Sequence, residues 1–420
     1  MTEQVTPATR AAALDRLKVF LPRAGREYGA KRNYDHGPGP DNVVSGLSPY
    51  IRHRLLSEWE VLAAVLEQHG LAASEKFIQE VFWRTYWKGW LEHRPGVWSA
   101  YLGRLRKSLD VVRADAGLRD GYEAAIEGRT GIEPFDAWVD ELLATGYLHN
   151  HARMWFASIW IFSLKLPWEL GADFFLRHLL DGDPASNTLS WRWVAGQHTA
   201  GKTYLATADN IEKYAGARFF ADGAPAGLAK LARHAAAAVE EPVPPAVAPT
   251  LPESVPNMPR GGLLLTEEDL HLDVPVSPQT LALWTAGSVH PLPASELVRG
   301  FKRKAGEDAL ERAQQSWPQA SVKPPLHSVA DIVHWAQQHS LERIYMAYIP
   351  QGYLQMQIAD LKQSLADAGC TLLMFAREYD RLAWPYARKG FFQLKKHIPD
   401  VLEALHVTQP LISKVQSIRD

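Results

Sequence analysis

The densest chemistry in this 420-residue sequence lies between Thr145 and Trp193. The stretch is crowded with aromatic side chains and poor in charge. It carries Asn150, Arg153 and Met154, then a turn with two acids, Asp181 and Asp183, then Asn187 shortly before Trp191 and Trp193. An apolar, aromatic-lined wall with a few fixed polar groups is the composition of a pocket for a large flat ligand. Taken alone, Arg153 and Asp181 also read as an ordinary surface ion pair, and Asn187 as a turn or N-cap residue. His149 and His151 invite a metal reading. Their i,i+2 spacing on a helix points them apart and no cysteine or third histidine stands near, so no metal is expected.

The elements that must position these residues read as helices. Helical patterns run over 8–29, 50–55, 57–70, 74–93, 97–109, 134–145, 149–164 and 168–180, with Pro49 placed to open one of them after Ser48 and Gly70 placed to end another. Residues 33–48 read as a loop rich in Gly, Pro, Asn and Asp. No strand is expected before residue 220, so 1–220 reads as an all-helical domain. Residues 221–261 are rich in Ala and Pro and read as an extended linker. Beyond it, 262–420 reads as a small α/β domain. Strands are expected at 280–287, 342–349 and 370–376, and helices at 293–316, 328–340 and 353–368. The strand–helix–strand run over 342–376 implies a Rossmann-like parallel sheet. No glycine-rich phosphate motif accompanies it, so a structural or docking role stands beside any binding role.

Composition narrows the class. The chain is 46% hydrophobic and 22% charged with a net charge of −2, so no global basicity announces a nucleic-acid partner. Cys370 is the only cysteine, which excludes a disulfide framework and a cysteine-ligated zinc or iron–sulfur site. No apolar run reaches the ~18–20 residues of a membrane span, and the first residues lack the apolar core of a secretion signal. A cytoplasmic protein without a membrane partner is expected. Eleven of the fifteen tryptophans precede residue 200, which separates the chemistry of the two parts.

Four segments carry a likeness. SGLSPY at 45–50, EVFWR at 80–84, EGRTG at 127–131 running on to TGYLHNHARM at 145–154, and DGDPASN at 181–187 followed by Trp191 stand in characteristic order and spacing. Together they resemble the flavin-binding domain of the photolyase/cryptochrome family over roughly residues 26–220. The resemblance implies FAD, folded into a U in a helical bowl. Tyr34 and the loop Ser45, Gly46, Leu47 and Ser48 would lie by its phosphates, where a helix start offers free N–H groups. Val44 stands where the family usually has a threonine, which removes one hydroxyl. Asn150, Arg153, Asp181 and Asp183 match residues around the isoalloxazine and ribose, and Glu80 and Arg84 reach the cofactor's edge. Arg153 and Asp181 would pair beside the ring. Asn187 would face the flavin N5 and hydrogen-bond it without offering a carboxyl proton.

Glu80, Trp83, Arg84 and Met154 match the cavity above the flavin, where a flipped pyrimidine dimer packs on the tryptophan. The stripe Trp83, Trp87 and Trp90 also reads as core, less so for Trp83, which Glu80 and Arg84 flank. Trp191 and Trp168 match the inner and middle members of the family's three-tryptophan electron chain. The outer position falls at about Asp115, where residues 108–121 hold no tryptophan. Tyr122, Trp155, Trp160 and Trp193 are the substitutes to consider. In the family an α/β antenna domain usually comes first. Here the late part of the chain, including 377–402, is similar to the end of such a domain in reversed order, and no antenna chromophore is expected.

The implied activity is that of a deoxyribodipyrimidine photolyase-like lyase. Blue light would drive an electron from reduced FAD to a pyrimidine dimer in single- or double-stranded DNA. Arg52, Arg54, Lys88, Arg94, Arg104, Arg106 and Lys107 are candidates for a basic rim facing the DNA, or for a solvated helix face. The alternative is a cryptochrome-like photoreceptor without repair activity that signals to a protein partner. A third reading is a light-independent flavoprotein or scaffold.

Overall fold

A computed structural model describes residues 6–39, 42–198, 203–235, 243–252, 260–274, 277–285 and 291–408. The first part is helical: α1 Arg10–Phe20, α2 Arg26–Lys31, α3 Ser48–Arg52, α4 Glu58–Glu92, α5 Gly96–Ala114, α6 Ala116–Ile126, α7 Glu133–Thr145, α8 Asn150–Ser158, α9 Trp168–His178, α10 Pro184–Val194 and α11 Ala208–Phe219. No strand occurs among the described residues before 220. The two helices expected at 57–70 and 74–93 meet within α4 at Gly70, whose φ of 67° and ψ of 168° leave the helical region and end the first where expected. Ser74 does not cap a new helix; its hydroxyl donates to the Gly70 carbonyl at 2.6 Å. A capping box of Ser57 and Glu60 starts α4. After α8 the chain winds more widely, as a π-helical turn over Ile159–Ser163, a local device that re-aims side chains. The helix at 116–126 was not expected from periodicity; Asp115 caps it by accepting from the Leu118 N–H at 2.9 Å.

The described part of the Ala/Pro-rich stretch docks on the helices. The Ala232 N–H donates to Ser163 Oγ at 3.0 Å, and the Val247 N–H to the His93 carbonyl at 2.9 Å. Residues 236–242 and 253–259 of that stretch, the end of the strand expected at 280–287, and 409–420 lie outside the described residues.

The second part holds a five-stranded parallel sheet of β1 Gly261–Thr266, β2 Pro278–Trp284, β3 Ser321–Val322, β4 Arg343–Ala347 and β5 Thr371–Phe375, in the order β3-β2-β1-β4-β5. Its helices are α12 Glu296–Ser316, α13 Val329–Gln338, α14 Ile358–Asp367, α15 Glu378–Ala383, α16 Phe391–Lys396 and α17 Ile398–Thr408. β4, α14 and β5 form the expected parallel unit. The central strand β1 was not anticipated: it is six residues, two of them glycine, directly after a proline-rich stretch. Its glycines have a packing reason, because a Cβ on Gly262 would come within 2.7 Å of Leu341 and 2.9 Å of Trp335. One face of the sheet packs with α13 and α14 around Leu264, Trp284, Trp335 and Leu361. The other joins the helical part in one continuous core that includes Leu263, Leu283, Phe301, Phe391 and the tryptophans of α4.

Where strand order reverses, between β1 and β4, open parallel sheets usually present a ligand crevice. Here α3 and α4 meet that edge with charge. Arg52 forms a fork with Glu268 at 2.6 and 2.6 Å. Arg54 pairs with Glu58, Asp269 and Asp380 at 3.1, 3.1 and 2.7 Å. Arg377 also binds Asp269, at 2.8 Å. Glu92 accepts from Tyr348 Oη at 2.8 Å and from the Gln351 N–H at 2.6 Å. Arg52, Arg54 and Lys88 are buried, which corrects the expectation that they form an exposed rim; Arg52 and Arg54 find acids just after β1 and on α15, more than two hundred residues downstream, and Lys88 lies 3.9 Å from Asp183. Arg94 and Arg104 are likewise engaged, Arg94 with the Pro244 and Arg388 carbonyls and Arg104 with Glu169, while Arg106 and Lys107 remain exposed.

Candidate functional site

α8 begins at Asn150, so Asn150, Arg153 and Met154 fall on one helical face, three and four residues apart. The Arg153 guanidinium grips Asp181 through two bonds of 3.0 and 2.8 Å, and its Nε donates to the Leu148 carbonyl at 2.9 Å. Burial works against the Arg153 charge, yet Asp181 outweighs it and holds the guanidinium above its ordinary pKa. Asp183, two residues on, is the N-cap of α10 and accepts from the Ser186 N–H at 2.7 Å. Burial alone would raise its pKa; Arg84 at 3.5 Å, Lys88 at 3.9 Å and Arg52 at 3.9 Å drive it well below the carboxylate range. Arg52 also donates to the Gly182 carbonyl at 2.8 Å, so the whole Asp181–Asp183 turn is braced from the sheet side through Glu268.

Asn187 follows one turn into α10. Its side-chain amide donates to the Ala172 carbonyl at 2.8 Å, which fixes the group in one orientation. Ser186 Oγ and Thr188 Oγ1, on either side of it, are shielded from water and have no partner among the described residues. Unused hydrogen-bonding capacity beside a fixed amide suits a polar heterocycle.

On α4, Glu80 forms an ion pair with Arg32, at the end of α2. Burial raises the Glu80 pKa, against the Arg32 charge. Arg32 lies outside the motifs and was not anticipated. Tyr28 connects this pair to the rest of the wall: it is buried, and Glu80, Arg32 and Tyr147 all act on its electrostatics. Tyr147 in turn lies against Arg153, whose guanidinium is 5.4 Å from its ring. Tyr34, by contrast, is 37% exposed and packs on His36 and Tyr214.

The Ser45–Ser48 turn has Gly46 at φ 63°, and α3 begins at Ser48 rather than after it. Ser45 Oγ accepts from the Leu47 N–H at 3.3 Å. Arg16, on α1, donates to the Ser45 carbonyl at 2.7 Å and lies so close over the turn that a Cβ on Gly46 would be 2.6 Å from its Nη2. A cation at this loop was not anticipated, because α1 precedes the resembling segments.

Two expected substrate residues stand differently from one another. Arg84 turns inward to Asp183 and Glu58, 3.7 Å away, and approaches the Ile51 and Arg52 carbonyls. Trp83 is half-buried, and one face is already covered: the Phe391 ring of α16 stacks on it, centroids 3.7 Å apart and 10° from parallel. Trp87 and Trp90 are buried against His198.

Trp191 is buried on α10 and touches Phe175, Trp160 and Phe156, with centroids 5.2, 6.2 and 6.3 Å away. Gly171 makes room for it, since a Cβ there would overlap the indole. Trp160 next contacts Tyr122 at 6.1 Å, just beneath the surface of α6. Trp168 packs on Tyr101 at 5.6 Å. Trp155 stacks with His151 and Trp138, and Trp193 with Tyr204.

Residues 77–218 match the family model described as the FAD binding domain of DNA photolyase. The deoxyribodipyrimidine photo-lyase of Streptomyces griseus is 35% identical over 199 residues, 44% of this chain and 42% of that protein. That of Thermus thermophilus is 35% identical over 185 residues, with the same shares of 44% and 42%. That of Escherichia coli is 29% identical over 214 residues, 47% of this chain and 42% of that protein. A class III photolyase structure from Agrobacterium tumefaciens aligns with a TM-score of 0.41 at 28% identity, covering 50% of this chain and 43% of that one. The chain thus spans less than half the length of the curated relatives it matches. No helix among the described residues is long and apolar enough to cross a membrane. The helical N-terminal region thus carries a photolyase-type FAD-binding domain, similar to that of the deoxyribodipyrimidine photo-lyases.

Proposed function

We propose that the chain is a light-driven DNA repair flavoprotein that splits a pyrimidine dimer. The observation that carries this reading is the pairing, on adjacent walls, of a fixed charge fork (Arg153–Asp181, with Asn187 pinned beside it) and a half-exposed Glu80–Arg32–Trp83 face. FAD, when bound in its reduced form and excited by blue light, supplies an electron to the dimer and takes one back after cleavage. The protein positions, dries and electrostatically supports that exchange. Arg153 and Asp181 would flank the isoalloxazine, and Asn187 would offer it a hydrogen bond without a carboxyl proton to lose. Arg16 and Ser45 hold the phosphates, with Asn150 and Asp183 on the polar remainder. Glu80, whose pKa is raised by burial, hydrogen-bonds the base edge, and Arg32 keeps the carboxyl oriented. The uncovered part of Trp83 and Met154 give the apolar surface for a flipped base.

Electrons that re-reduce the flavin enter the site through Trp191. Its direct ring contact with Trp160, and that ring's contact with Tyr122, support a route to the surface through these two residues in place of an outer tryptophan at Asp115. Trp168 remains a second branch toward Tyr101.

A photoreceptor reading is favoured by one observation: Phe391 of the sheet-bearing part lies directly on Trp83, which ties that part to the candidate cavity. Illumination of the purified protein with a thiol reductant and a dimer-containing oligonucleotide separates the two. Light-dependent dimer loss is expected. Photoreduction of bound flavin with the dimer left intact would favour the receptor, and a colourless protein that takes up no FAD would refute both.

A further inference from the structure

The segment that covers Trp83 has a second, outward side. α16 is anchored against α4 by the Phe391–Trp83 stack, by the Tyr86 hydroxyl donating to the Lys389 carbonyl at 2.9 Å, and by Lys395 paired with Glu75 at 3.1 Å. Arg94 adds a bond of 2.7 Å to the Arg388 carbonyl. On this fixed platform Phe392 points away from the core. It is 72% exposed, the most exposed large apolar side chain among the described residues. A lone surface phenylalanine needs no explanation, but its surroundings here are one-sided. Residues 381–397 carry Arg381, Arg388, Lys389, Lys395 and Lys396 and no acid, in a chain whose net charge is −2. Arg388, Lys389 and Lys396 are exposed and lie within four residues of Phe392 in sequence. An apolar wedge set in a cationic field, next to a face that takes a flipped base, fits one partner: a DNA duplex with a base pair opened. Extruding a base leaves a hole in the stack, and an aromatic side chain that enters the hole holds the base out, while nearby lysines and arginines meet phosphates.

We propose that α16, contributed by the sheet-bearing part of the chain, is a DNA-contacting element in which Phe392 fills the gap left by the flipped lesion and Arg388, Lys389 and Lys396 contact the backbone. This rests on the repair reading above. A single strand has no stacked partner strand and leaves no hole to fill, so the wedge matters for duplex only.

The test uses the full chain and two probes of one sequence, each with one cyclobutane thymine dimer: a duplex and its single strand. Fluorescence anisotropy is read in the dark. For Phe392→Ala, affinity for the duplex falls roughly tenfold, the size of one lost stacking contact, and affinity for the single strand stays within about twofold. Phe392→Leu keeps most of the duplex affinity. Lys389→Ala with Lys396→Ala weakens both probes and flattens the salt dependence by roughly one to two in log–log slope. Unchanged duplex affinity in Phe392→Ala, equal losses on both probes, or loss of self-association with DNA binding intact would each overturn the proposal. A wild-type chain that binds FAD but neither probe would instead refute the repair reading on which it rests.

Discussion

Asp181 and Asp183 stand two residues apart in one turn and have different tasks. Asp181 neutralises Arg153; Asp183 is held ionised by three cations while it caps α10. Asp181→Asn therefore leaves a largely buried guanidinium without its counter-charge. Breaking one side of such a pair costs about 3 kcal/mol, the low end of the range for fully buried pairs because Arg153 keeps some exposure. Urea denaturation is expected to show that loss, and the flavin-to-protein absorbance ratio of the purified variant to drop with it. The Arg153–Asp181 pair was legible in the sequence because both members sit in recognisable motifs 28 residues apart. Arg16, Arg32 and Arg52 were not, since each meets its partner across a distance no local pattern records: 29 residues to Ser45, 48 to Glu80 and 216 to Glu268.

At the scale of elements, α10 and α9 set the ring contacts on which the proposed electron route rests. The π-helical turn at Ile159–Ser163 places Trp160 against Trp191, and Gly171 on α9 leaves the space for it. Trp160→Phe is expected to slow light-driven flavin reduction roughly tenfold, a barrier change of about 1.4 kcal/mol, with flavin content unchanged. Trp168→Phe slows it less. Time-resolved absorption under a thiol reductant checks both, and the reverse order of effects would return the main route to Trp168. Most helices before residue 180 were readable from apolar periodicity, and so was the β4–α14–β5 unit; α6, α10 and α11 were not. β1 was not, although it is the centre of the sheet, because a buried parallel strand reads as a short apolar run without alternation and this one carries two glycines. The wide turn after α8 has no local signature either.

Across the whole molecule, the helical part and the sheet meet through buried charge rather than through a bare apolar seam. Most of that charge is balanced, as in Arg54 with Glu58, Asp269 and Asp380. Among the described residues no cation lies at hydrogen-bond distance from Glu92; burial pushes its pKa up to about 7 although Tyr348 and Gln351 donate to it. An acid whose pKa rises on folding binds its proton more tightly in the native state. It favours the fold below the unfolded value near 4.5, and that contribution is lost as pH climbs through about 7. Glu141, also raised to about 7 by burial beside Arg218, acts in the same window. Glu92→Gln keeps an acceptor for the Gln351 N–H, and its amide can donate to the Tyr348 hydroxyl. The variant is expected to gain thermal stability over wild type at pH 8 and to lose that advantage by pH 5; a difference independent of pH would contradict the assignment. The basic rim was the expectation that failed at this scale. Arg52, Arg54 and Lys88 read as a solvated cationic stripe until the acids after β1 and on α15, and Asp183 for Lys88, are placed against them.

The central claim is that the lesion is repaired on the Glu80–Trp83 face, above a flavin held by Arg153, Asp181 and Asn187. The most direct measurement follows the loss of a cyclobutane thymine dimer from a single strand under blue light, comparing wild type with Glu80→Ala and Trp83→Ala. Wild type is expected to repair in light and not in darkness, and the variants to keep their bound FAD while losing at least roughly tenfold in repair. Full repair by flavin-loaded variants, or intact dimer after illumination of flavin-loaded wild type, would contradict the account.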